Sequence, residues 1–201
     1  MPPSRPIGKL SACLIAALLA AAYATGLLGT ARVLAYDDYG RECHQPYSGG
    51  NSLLYAPYTN DGTYPPGTTY QPVFDAARLD WSGSATPVYF QSSSQANWTF
   101  GAKYLGANNR AGETNYTCSG PGGSMDTAYV WLNRTYTESY STFTRQALAS
   151  HEMGHMLGLG HSNYQAIMGV NDGSFNGTLS DDWCGINHVY PSNNYPPTCG
   201  Y

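Results

Sequence analysis

Three of the five histidines in this chain, His151, His155 and His161, fall within the eleven residues HEMGHMLGLGH. His151 and His155 are four apart, which on a helix stands both imidazoles on one face, one turn apart. Two imidazoles so placed can bind one metal ion. Glu152 is rotated by about a quarter turn from His151, so it can reach a water in the metal's open position without being a ligand. Gly158 falls where that helix would end, because glycine takes the left-handed conformation at little cost. The chain can then double back and bring His161 to the same ion. Three neutral imidazoles with one position left for water make the donor set of a catalytic zinc, whereas structural zinc sites are closed by four protein ligands. A five-residue H-E-x-x-H alone recurs by chance, but the longer pattern is far more specific. A surface helix with solvated histidines would not require Gly158 at its place.

The elements that must position this cluster can be read from periodicity. A helix over about residues 143–157 carries the first two histidines. Upstream, residues 53–58 read as a strand. Residues 70–81 read as a helix, with Val73, Ala76, Ala77 and Trp81 at spacings of three and four and Phe74 beside them. Pro72 suits its first turn and Gly83 its end. Residues 86–91 and 98–105 read as two further strands, 107–124 as a Gly- and Asn-rich loop carrying Cys118, and 128–132 as a short apolar strand. A last helix starts near Ser180, whose hydroxyl can cap it, and Asp181 and Asp182 favour its positive end. Trp183, Ile186 and Tyr190 form one face of it, and Pro191 stops it. The tail to Tyr201 is turn-rich and pinned by Cys199.

Residues 1–35 read as a secretory signal peptide. Arg5 and Lys9 give a positive start, residues 10–28 are almost wholly apolar or small, and Val33-Leu34-Ala35 suits cleavage before Tyr36. A retained membrane anchor is the alternative, because the apolar run is close to a spanning length. Leu10-Ser11-Ala12-Cys13 looks like a lipoprotein processing box, but it precedes the apolar run and reads as chance. Residues 36–201 would then be the mature domain. It keeps all thirteen acidic residues against six basic ones, a formal balance of −7. That balance speaks against nucleic acid or an anionic membrane as partner. The domain is expected to be a monomer. Cys43, Cys118, Cys184 and Cys199 are an even number in an exported chain, which implies two disulfides with three pairings open. Cys184 is expected to join either Cys43 or Cys199.

The run His151 to His161 resembles the signature of the metzincin metallopeptidases, H-E-x-x-H-x-x-G-x-x-H. In that clan a methionine turn lies under the metal. Ala166-Ile167-Met168 fits the role, although Met168 alone would also pass as a core residue. Ser162, directly after the third histidine, matches the matrixins; astacins and adamalysins carry acidic residues there. Astacins also place a tyrosine ligand just after the methionine, where this chain has Gly169-Val170. Leu179-Ser180-Asp181-Asp182, followed by Gly185-Ile186 and Tyr190, looks like the matrixin C-terminal helix. The specific resemblance covers residues 145–191 and a looser one runs from Leu53.

The resemblance implies an α+β, zincin-like catalytic domain of a minimal, secreted, microbial type. Its small twisted mixed sheet would carry an N-terminal helix, an active-site helix and a C-terminal helix. It implies a zinc-dependent endopeptidase acting on protein or peptide, with one zinc on His151, His155 and His161. Glu152 would be the general base, and Gly158 and Met168 would support the site. The substrate would lie extended along an edge strand, for which residues 98–105 and 128–132 are the two candidates. The rival readings are a zinc- or carbohydrate-binding module, against which Glu152 speaks, and a processing peptidase with one narrow substrate.

The departures are specific. Only His44 and His188 lie outside the signature, too few for the second, structural zinc of animal matrixins. No motif supports a calcium site. Gly169-Val170-Asn171 replaces a proline-containing segment that walls the specificity pocket, so substrate preference does not carry over. No propeller-like accessory domain is expected. The run Arg41 to Pro46, RECHQP, faintly resembles the cysteine switch of matrixin propeptides. His44 replaces the glycine that follows the switch cysteine, however, and a zinc-bound Cys43 would leave an odd number of cysteines. Cys43 therefore reads as a structural staple.

Overall fold

Trp98, Phe100 and Ala102 are buried at every second position of the segment Trp98–Lys103, the pattern of a strand with one face on a core. This strand, β4, is the middle of a sheet built with β1 (Cys43–His44), β2 (Leu54–Asn60), β3 (Val88–Ser92), β5 (Gly112–Cys118) and β6 (Gly123–Asn133). The computed structural model describes residues 43–44, 54–60, 70–82, 86–92, 98–119, 123–169 and 177–192, all within one compact unit, Ala35–Gly200. The expected signal segment, Gly83 and Cys199 lie outside the described residues. β3, β2, β4 and β6 run parallel in that order. β5 lies antiparallel on β6, with Thr114 opposite Val130 and Tyr116 opposite Ala128. β1 adds two parallel residues at the start of β6.

The helices are α1 (Tyr70–Ser82), α2 (Arg134–Thr137), α3 (Thr142–Met156) and α4 (Ser180–Val189). α1 buries Tyr70, Val73, Phe74, Ala77 and Trp81, the apolar stripe read from its spacing. Phe74 stacks on Phe100 with ring centroids 5.7 Å apart, and Phe90 meets Phe100 edge-on at 6.0 Å. α1 packs against α3, and α3 against β5 and β6. Ser141 caps α3 by accepting from the Thr144 N–H at 3.1 Å. Arg145, buried in the first turn of α3, donates to the carbonyls of Thr137 and Glu138 at the end of α2. Among the described residues no helix is long and apolar enough to cross a membrane.

The α+β class and the small mixed sheet match the expectation, but three assignments need correction. Residues 107–124 are not all loop: they hold β5 and the start of β6, which runs well beyond the expected 128–132. Neither 98–105 nor 128–132 supplies a free edge, because β4 is flanked by β2 and β6, and β6 by β4 and β5. β5 pairs only with β6 among the described residues, so β5 is the edge that lies beside α3. Its residues range from half-buried to exposed on both faces. It therefore lacks the apolar alternation by which strands are recognised. At the start of α4, the Ser180 hydroxyl is not the cap. The Asp182 carboxylate takes the Leu179 N–H at 2.8 Å instead.

Candidate active site

α3 presents His151 and His155 on one face, with ring centroids 4.7 Å apart. The helix ends at Met156, and Gly158 follows in the left-handed region at φ 91°, a conformation that suits glycine. Tyr190, the C-cap of α4, donates its hydroxyl to the Leu157 carbonyl at 2.9 Å, so one of the terminal acceptors of α3 is satisfied. The reversed chain brings His161 within 5.2 Å of His151 and 4.8 Å of His155, ring to ring. One candidate ligand atom from each of the three histidines lies within 4.8 Å of the others.

The rings are oriented by the segment that follows the helix. His151 Nδ1 is 2.7 Å from the Ile167 carbonyl and His155 Nδ1 is 2.8 Å from the Leu159 carbonyl. A carbonyl only accepts, so each Nδ1 carries the hydrogen and each Nε2 keeps its lone pair. Burial lowers the pKa of His151, and burial with the nearby His151 ring holds His155 down to about 4. Both are therefore neutral at pH 7, the form that binds a metal. Two oriented, neutral imidazoles and a third on a loop fit one zinc ion.

Met168 is buried beneath α3, where a Cβ on Gly154 would collide with its sulfur. It sits in a turn closed by the Gly169 N–H on the Ala166 carbonyl at 3.0 Å. Asp182 of α4 accepts from the N–H groups of Ile167 at 2.9 Å and Met168 at 3.1 Å. Burial pushes the Asp182 carboxyl up to about 6, while the N–H donors of Leu179, Ile167 and Met168 pull it down. Ser162 donates its hydroxyl to Asp181 at 2.6 Å and its N–H to the Met168 carbonyl at 2.7 Å. From sequence, the two aspartates were expected only to favour the positive end of α4. They also hold the turn whose carbonyl orients His151.

Glu152 is buried between α3 and β5. Burial pushes its carboxyl up to about 7, against the Thr114 hydroxyl, which lowers it. Thr114 Oγ1 lies 2.7 Å from Glu152 Oε2 and 2.8 Å from the Glu152 carbonyl oxygen. A Cβ on Gly112 would come within 2.5 Å of Glu152 Oε1. Thr114, Asn115, Tyr116 and His155 line an open cavity at this place. Gly112 and Thr114 are not evident from sequence because their Gly- and Asn-rich segment resembles a loop; the β-formers Thr114, Tyr116 and Thr117 are the available signal.

The family profile described as Matrixin matches residues 64–191, more than half of the chain. The chain belongs to the matrixin family. A comparison with curated proteins finds no match. As a matrixin it is a zinc metalloendopeptidase, and its substrates are proteins or peptides. The histidine triad lies within the matched region, as do the turn around Met168 and the helix α4.

Proposed function

We propose that this matrixin is a secreted endopeptidase in which His151, His155 and His161 hold one catalytic zinc and Glu152 is the general base. The observation that carries the reading is the burial of the Glu152 carboxyl on the same helix as, and directly after, the first of three converging histidines. Zinc, when bound, supplies Lewis-acid polarisation and lowers the pKa of a water toward neutrality. Glu152 takes a proton from the water that attacks the scissile carbonyl, then gives it to the departing nitrogen. β5 offers its edge, unpaired among the described residues, to an extended substrate, which would add as a further strand. No covalent intermediate is required. Gly158 and Met168 shape and floor the site. The reading includes a cleaved signal at residues 1–35, a monomeric mature domain with no membrane partner, and two disulfides.

Glu152→Gln tests the base. It removes a proton acceptor and leaves the three histidines in place. The variant should keep parent-like zinc content and melting temperature while turnover of a quenched peptide falls by about a hundred- to ten-thousand-fold. Near-parent turnover would contradict the assignment.

A further inference from the structure

We propose that Thr114 is a positioning residue that fixes the rotation of the Glu152 carboxylate and ties it to the edge strand β5. This inference rests on the reading of Glu152 as the general base. The last torsion of a glutamate is broad and roughly two-fold, so its carboxylate turns unless a neighbour holds it. Here the neighbours come from one face of one strand. Gly112 and Thr114 are two residues apart on β5, and alternate residues of a strand face the same side.

Gly112 lies so close to Glu152 Oε1 that any side chain there would strike Oε1, Cγ and Cδ, all within 2.9 Å of an added Cβ. Thr114 Oγ1 lies 2.7 Å from Oε2. Among the described residues this hydroxyl is the group that hydrogen-bonds the carboxylate. The same Oγ1 sits 2.8 Å from the Glu152 carbonyl oxygen, against the main chain of α3. A hydroxyl has one hydrogen and two acceptor lone pairs, and that hydrogen serves whichever of the two oxygens it faces. The carboxylate is thus gripped between a glycine that admits it and a threonine that orients it.

β5 is also the strand against which an extended substrate would pair, so the base is referenced to the strand that aligns the scissile bond. Misorienting a catalytic group is a defect in the chemical step and not in binding, and it lowers kcat more than it raises KM.

The test uses the zinc-loaded mature enzyme and four variants: Thr114→Val, Thr114→Ser, Glu152→Gln, and Thr114→Val combined with Glu152→Gln. Valine keeps the branched shape and removes the hydroxyl; serine restores it. Thr114→Val should lower kcat about 10- to 100-fold, the usual effect of losing an orienting partner, with KM, zinc content and melting temperature close to parent. Thr114→Ser should recover most of kcat. In the Glu152→Gln background Thr114→Val should cause little further loss, since both act through one group. A second readout needs no turnover. The carboxyl band of Glu152, isolated by infrared difference between parent and Glu152→Gln, should shift in Thr114→Val and return in Thr114→Ser. Parent-like kcat in Thr114→Val, an unshifted band, or a serine variant no better than valine overturns the proposal. If Glu152→Gln is inactive when that happens, the base assignment stands and only Thr114 is dismissed. If Glu152→Gln itself turns over normally, both fall.

Discussion

Asp182 shows how far from the histidine triad the site is determined. Its two oxygens accept three main-chain N–H groups, from Leu179, Ile167 and Met168. The Ile167 carbonyl in turn accepts from His151 Nδ1. An asparagine in its place has one acceptor oxygen and an NH2 that must face at least one of those donors. Asp182→Asn should therefore cost about 1–3 kcal/mol, the range for a buried polar group left unsatisfied. Because the turn that orients His151 is loosened, zinc affinity should fall as well. Thermal melting and competition with a chromogenic chelator would measure the two effects. A variant with parent stability and parent zinc affinity would show that Asp182 merely caps α4. The histidines were legible in the sequence because helical geometry converts a spacing of four into one face. Asp182 was not, because its partners at Ile167 and Met168 are supplied by the fold.

At the scale of elements, α3 carries His151, Glu152 and His155, and it is fixed at both ends. Ser141 caps its start, and Trp81 of α1 donates its indole N–H to the Ser150 carbonyl at 2.9 Å, one residue before His151. Tyr190 meets the Leu157 carbonyl at the far end, where the chain must reverse toward His161. Tyr190→Phe leaves that buried carbonyl without its donor and should cost about 1–3 kcal/mol. The loss would appear as a lower denaturant midpoint with an unchanged slope; an unaltered midpoint would mean that the carbonyl finds another partner. The three longer helices were legible because their buried stripes recur with the helical period, as Val73, Phe74, Ala77 and Trp81 do on α1; the four-residue α2 was not. β5 was not. An edge strand over a cleft buries neither face fully, so Glu113, Thr114, Asn115 and Tyr116 show no alternation of apolar and polar. The sequence carries a strand's pairing rules only through the partner, here β6.

For the molecule as a whole, the pair of neutral histidines on α3 is stable only in balance with pH and metal. In the metal-free protein burial holds His155 at about 4, below its ordinary value of 6.5, and lowers His151 in the same direction. Below pH 6.5 the unfolded chain takes up protons that the folded chain refuses. Stability is therefore fully present above 6.5 and is lost as pH falls toward 4, by on the order of 3 kcal/mol for His155. The chelated protein should melt progressively lower between pH 6.5 and 4, and His155→Gln, which lacks the group, should show a shallower decline. Parallel melting curves for the two would contradict the linkage. Bound zinc should raise the melting temperature and flatten the dependence until the ligands are protonated off it.

The most direct measurement is zinc-edge X-ray absorption on the purified mature chain, together with its zinc content. One zinc per chain is expected, with three imidazole nitrogens at about 2.0–2.1 Å and light oxygen donors completing the shell. A sulfur shell near about 2.3 Å would place a cysteine on the metal, and full peptidase activity in a zinc-free chain would remove the metal from the account. Either result would contradict the assignment of His151, His155 and His161 as the protein ligands of a catalytic zinc.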